Sequence, residues 1–250
     1  MISLTHRDDV AILTMAHGKA NLLDTEFCGA VAEALDACAR SPARAAVIIA
    51  GGSIFSGGVD LRRLVEGGQR YATDFLPALG RAFDVAFAFP KPLVAAVNGH
   101  AIAGGCILAN AADRRLMARE AGRIGVPELL VGVPFPTVAL EIMRQQVPAR
   151  HLSALIFSGE TVVADRAVEL GLVDAAVEPD RLLDEAVDAA KAMAALPPAA
   201  FAITKNQLRA PALARIREGR ERFDAAIHEY WAAPSTLDTI RGYVQRTLKK

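Results

Sequence analysis

Two wholly apolar runs, residues 46–50 (AVIIA) and 93–97 (LVAAV), each lead directly into a glycine-rich loop. Runs of this kind suit strands buried on both faces, as in a parallel sheet. The loops are residues 51–61 (GGSIFSGGVDL) and 98–108 (NGHAIAGGCIL). Neither is a nucleotide fingerprint: the first lacks the Gly-Lys-Ser/Thr ending of a P-loop, and no GxGxxG opens a helix. A single Gly pair reads as a tight turn needing positive φ. Two such loops, each behind a buried strand, suggest backbone N–H groups converging on one ligand atom. The second also opens a helix predicted from Cys106 to Ala112, whose free N–H groups favour developing negative charge.

Around these loops the first half alternates strand and helix. Val10 to Met15 reads as a strand paired with residues near Leu4 across Arg7-Asp8-Asp9. Asp24 is placed to cap a helix carrying Phe27, Val31, Leu35 and Cys38 on one face. Tyr71, Phe75, Leu79, Phe83 and Phe87, spaced four apart, predict a helix that stops at Phe89-Pro90-Lys91-Pro92. This alternation argues for an α/β layer. Helices are expected over 136–147, 151–157 and 164–170, with a last strand at 173–177 and a helical pattern from Pro179 onward. Leu208, Leu213, Ile216, Phe223, Ile227, Trp231, Ile240 and Val244 are too many large apolar residues for solvated helices, so they pack on the core or on a neighbouring subunit. No Ser/Gly-rich linker divides the 250 residues.

Charge narrows the partner. Lys plus Arg and Asp plus Glu each total 28, giving zero net charge, so neither nucleic acid nor an anionic membrane has a broad foothold. The N-terminus becomes charged before a signal-like apolar run, and no stretch approaches the ~20 apolar residues of a membrane span. The Leu248-Lys249-Lys250 tail matches no lipidation or peroxisomal address. Cys28, Cys38 and Cys106 are too scattered for a metal site and are expected as buried, reduced thiols. A soluble cytoplasmic protein with a small partner is the expectation.

FSGGVDL, then AAVNGHAIAGGCILANAADRRLMA, then RIGVPELLVGV resemble, in order and spacing, the crotonase (enoyl-CoA hydratase/isomerase) superfamily. The resemblance runs from about Val10 to the C-terminus. It implies an α/β fold, a crotonase-like spiral of ββα units with a helical C-terminal part, assembled as homotrimers or paired trimers. Residues 1–195 would form the core with the CoA and acyl site, and 196–250 a helical trimerisation region. It implies an acyl-CoA thioester as substrate, no cofactor beyond that CoA and no metal. The peptide N–H groups of Val59 and Gly104 would hold the thioester oxygen. Two fixed donors there stabilise an enolate more than the ground state.

The resemblance also bears on the reaction. Hydratases of the family use two glutamates; the first position aligns with Ile107 and the second with Glu128. A single base can carry a proton from C2 to C4 of a bound chain and return it as an acid, the Δ3,Δ2-enoyl-CoA isomerase reaction. AGGC followed by an aliphatic residue, and the end from Asp238 to Leu248, resemble mitochondrial-type isomerases. Val133-Pro134-Phe135-Pro136 replaces a glycine-rich stretch and is read as an apolar wall of the acyl pocket. Ala20, Ser56, Gly57, Gly58, Asp60, Leu61, Gly105 and Phe135 are expected around the substrate, with Lys19, Arg62 and Lys205 as CoA-binding cations. Asp60 is read chiefly as a helix cap. Asp113 is expected to pair with Arg114 or Arg115. His100 is given no catalytic role. Glu120 and Glu141 are read as solvated charges, although Glu141 could reach the pocket. Alternatives are an atypical enoyl-CoA hydratase and a non-catalytic acyl-CoA binding protein; the balanced charge disfavours RNA binding.

Overall fold

The computed structural model describes residues 1–247, so the tail reading at Leu248-Lys249-Lys250 lies outside the described residues. From the N-terminus the chain runs β1 (Ile2–Arg7), β2 (Val10–Met15), α1 (Thr25–Arg40), β3 (Ala45–Ala50), β4 (Ile54–Ser56) and α2 (Leu61–Phe87). Next come β5 (Leu93–Val97), β6 (His100–Ile102), α3 (Gly104–Asn110), β7 (Arg114–Ala118), β8 (Ile124–Gly125) and α4 (Glu128–Val131). The second half holds α5 (Thr137–Gln146), α6 (Ala149–Ser158), β9 (Thr161–Val162), α7 (Ala164–Leu170), β10 (Ala175–Val177) and α8 (Leu182–Ala194). Last are α9 (Pro198–Gly219), a π-helical turn at Arg220–Asp224, α10 (Ala225–Ala232) and α11 (Pro234–Thr247).

The larger sheet has the order β1-β2-β3-β5-β7-β10, parallel except for the β1–β2 hairpin. One face, through Val10, Ile12, Val47, Val94 and Ala96, packs on Ala186, Val187 and Ala190 of α8. The other, through Leu13, Met15, Ile48 and Val97, joins a core shared with α1, α2, α3 and α5. Both faces are covered, so β3 and β5 carry no polar residue. The smaller sheet, β4-β6-β8-β9, runs beyond the ends of β3 and β5.

Asp24 caps α1 as expected, its carboxylate accepting the Phe27 N–H at 2.7 Å. Asp60 caps α2 in the same way, accepting the Arg63 N–H at 3.0 Å. The helix predicted around Tyr71–Phe87 therefore starts ten residues earlier, with a break at Gly68 (φ 64°, ψ −156°). Beyond the break, Phe75, Leu79, Phe83 and Phe87 form its buried stripe. The short strands β4, β6, β8 and β9, the strand β7 and the single turn α4 were not expected from the sequence. Among the described residues no single helix is long and apolar enough to cross a membrane.

Candidate active site

A cavity of about 1100 Å³ opens where the two glycine-rich loops meet α4 and the C-terminal helices. Gly58 has φ 82°, and a Cβ there would lie 2.7 Å from the Ile102 carbonyl oxygen and 3.4 Å from the Gly104 nitrogen. The loops are thus in direct contact, and only a residue without a side chain lets them close this far. Gly104 opens α3, following Ala103 at φ 51°, a strained conformation for a residue with a Cβ. Its N–H belongs to the first turn, where no intrahelical acceptor exists. Val59 and Gly104 both line the cavity, and neither N–H takes part in a hydrogen bond among the described residues.

Glu128 enters the same cavity from the first residue of α4. It is 7% exposed, and its Oε2 is buried with no hydrogen-bond partner. Burial disfavours the charged carboxylate and pushes its pKa up to about 8. Ile107, one turn along α3, presents a fully buried hydrocarbon to the cavity. The other carboxylates lining it, Asp60 and Glu66, lie with Arg62 and Arg63 on the first turns of α2, half-buried or exposed. Leu79, Phe83, Val133, Pro136 and Trp231 give the remainder an apolar wall. A buried carboxylate lining the same cavity as two amides with no acceptor among the described residues can move a proton beside a carbonyl whose developing charge those amides accept.

A family model described as enoyl-CoA hydratase/isomerase matches residues 5–246. The chain belongs to that family. An enoyl-CoA hydratase from Mycobacterium ulcerans is 32% identical, with a TM-score of 0.83 over 90% of this chain and 98% of its own. An enoyl-CoA isomerase from Mycobacterium tuberculosis is 33% identical, with a TM-score of 0.82 over 90% and 97%. The human mitochondrial Δ3,Δ2-enoyl-CoA isomerase, 20% identical, shares the fold at a TM-score of 0.94 over 99% and 98%.

Within this enoyl-CoA hydratase/isomerase framework, Ala20, Gly57, Val59, Asp60, Leu61, Arg62, Gly104 and Glu128 line the cavity. Lys19 is exposed beside Ala20, outside the lining. Ser56, Gly58 and Gly105 lie in the loops but outside the cavity lining, where the two loops pack on each other. His100 lines the mouth, its Nδ1 accepting the Arg123 N–H at 3.2 Å.

Four expectations need correction. Phe135 lines a different cavity, of about 760 Å³, which shares only Val133 with the first. Lys205 is buried, with Nζ 2.6 Å from Asp113 Oδ2 and 2.9 Å from the Lys91 carbonyl oxygen, because α9 docks across that end of the sheet. Asp113 pairs with Lys205 and Arg209, not with Arg114 or Arg115. Neighbouring residues at a strand point to opposite faces, and Arg115 pairs with Asp174. Glu141 is not solvated: α9 covers it, with Arg215 at 2.6 Å and Arg144 at 3.1 Å, and it faces the second cavity.

Phe83 and Trp231, read in the sequence as packing residues, line the Glu128 cavity together with Tyr243, because large apolar residues carry no signal separating pocket from core. All three cysteines are buried thiols, and among the described residues no group of His, Cys, Asp or Glu is placed to hold a metal ion.

Proposed function

We propose that the chain moves the double bond of a 3-enoyl-CoA to the 2-position. The observation that carries this is Glu128 as the one buried carboxylate lining the cavity among the described residues, with Ile107 where a second acid would stand. The Glu128 carboxylate takes a proton from C2, and the electrons move into the thioester as an enolate. The N–H groups of Val59 and Gly104 stabilise the oxygen that gains this charge. The new carboxylic acid returns the proton at C4, and the double bond ends between C2 and C3. A base with a pKa near 8 suits this double role near neutral pH. The 33% identical Mycobacterium tuberculosis relative, named both as an isomerase and as a probable hydratase, is compatible with the reading.

The CoA end is proposed to lie at the charged mouth, where Lys19 and Arg62 offer cations to its phosphates. Leu130 and Phe157, 56% and 75% exposed, support a further proposal that α4 and α6 pack on other copies in a homotrimer or paired trimers.

Glu128→Gln tests the mechanism. Isomerisation of a 3-enoyl-CoA should fall by about two to four orders of magnitude, and unchanged turnover would overturn it. A second reading, hydration of 2-enoyl-CoA, draws on the 32% identical relative named as a hydratase. It requires water to be oriented and a second proton donor supplied from one carboxylate. Binding of acyl-CoA with no α-proton exchange in deuterated water would favour a non-catalytic acyl-CoA protein instead.

A further inference from the structure

The amides of residues 57–60 are engaged in sequence, with one exception. Gly57 N–H donates to the Ala20 carbonyl at 2.8 Å, and Asp60 N–H to the Leu23 carbonyl at 3.0 Å. Gly58 N–H donates to the Ser56 hydroxyl at 3.2 Å. Only the Val59 N–H between them takes no protein acceptor among the described residues. Among the described residues the acceptors of these three amides come from residues 20–23 and from Ser56, and both converge on Asn21.

Asn21 is 3% exposed and sits in the left-handed region at φ 46°. Its Nδ2 donates to the carbonyls of Ile54, at 3.0 Å, and Phe55, at 3.1 Å. Its Oδ1 accepts the His17 N–H at 2.8 Å, so these three partners fix which way the amide faces. Its own carbonyl accepts the Ser56 hydroxyl at 2.7 Å, the same hydroxyl that accepts the Gly58 N–H. Ser56 also touches the second loop, because a Cβ on Gly105 would run into its carbonyl and lie 2.8 Å from its Cβ. The Asn21 side chain therefore fixes β4 just before Ser56, while its backbone carbonyl holds the hydroxyl of the serine that spaces the two loops.

We infer that Asn21, through the β4 carbonyls of Ile54 and Phe55 that its side chain holds beside Ser56, is a positioning residue that sets the Val59 amide against the Gly104 amide. This rests on reading those two amides as the oxyanion donors. A donor pair works only at hydrogen-bond distance from where the charge develops, and a misplacement of about 1 Å can cost about 10²-fold in rate. The side chain has to donate twice while accepting once, which asparagine does and aspartate cannot. Ionised aspartate would turn lone pairs toward the Ile54 and Phe55 carbonyls.

Asn21→Gly separates this role from backbone strain, since glycine keeps φ near 46° at no cost while the side-chain bonds are lost. Asn21→Asp is its near-isosteric partner. Both should lower kcat about 10- to 100-fold with KM within about threefold. The decisive readout is the thioester carbonyl stretch of bound hexanoyl-CoA, by difference infrared spectroscopy. A saturated ligand cannot isomerise, so this signal reports the donors alone. Wild type should shift the stretch to lower frequency, and both variants should move it back toward the free value. A folded Asn21→Gly with wild-type kcat and the full shift overturns the inference, as does a lowered melting temperature with the full shift. If wild type shows no shift, the oxyanion reading itself fails. Should Asn21→Gly not fold, Ser56→Ala removes the shared hydroxyl and is expected to give the same change in the carbonyl stretch.

Discussion

Glu128 owes its chemistry to what surrounds it rather than to what it binds. A carboxylate with a buried, unpartnered oxygen is held mostly protonated at neutral pH by desolvation. Because the carboxylate must be ionised to accept a proton, kcat/KM should rise with pH and level off above about 8. Stability should move the opposite way. The folded protein holds this proton to about pH 8, while the unfolded chain releases it near the ordinary value of 4.5. The stabilising contribution is complete below that value and is lost as pH rises through about 8. Glu128→Gln should remove this loss and be more stable than wild type at pH 9, by on the order of a few kcal/mol, with little difference at pH 4. Denaturant titrations at the two pH values check it. At this scale the sequence was legible in the two glycine-rich loops, which place Val59 and Gly104 on one cavity. It was silent on Asn21 and misread Asp113 and Glu141, because Ile54, Lys205, Arg209 and Arg215 lie more than 30 positions away in the chain and meet them only through the fold.

Among the elements, uniformly apolar strands and four-spaced helical stripes could be read directly, since buried faces leave one periodicity and little ambiguity. Strands of two or three residues are too short to show a period, and β7 was hidden because it begins with Arg114-Arg115. The break at Gly68 was missed because glycine alone does not say whether a helix bends or stops. The docking of α9 is the element-level feature that most changed the expected site. It draws Lys205 and Arg209 onto Asp113, whose carboxylate also accepts the Leu93 N–H at 2.8 Å. Lys205→Met should therefore cost about 2 kcal/mol of stability and leave the KM for the CoA substrate unchanged. A tenfold higher KM with an unaltered melting temperature would return Lys205 to the CoA.

Across the whole molecule, the cavity is assembled from sequence-distant parts. The loops come from the first half, Glu128 from the middle, and Trp231, Tyr243 and Thr247 from α10 and α11. The C-terminal helices pack on α2, so their apolar residues close the pocket as well as the core. Zero net charge is compatible with a polyanionic ligand, because charge is needed only at the mouth. The central claim is that one carboxylate shuttles a proton along the bound chain. The direct test follows wild-type protein by NMR in deuterated water with 3-hexenoyl-CoA, and separately with 2-hexenoyl-CoA. The first should yield 2-hexenoyl-CoA that retains some of the original C2 hydrogen at C4, and the second little 3-hydroxyhexanoyl-CoA. Rapid hydration of 2-hexenoyl-CoA with no isomerisation of the 3-enoyl substrate would contradict it.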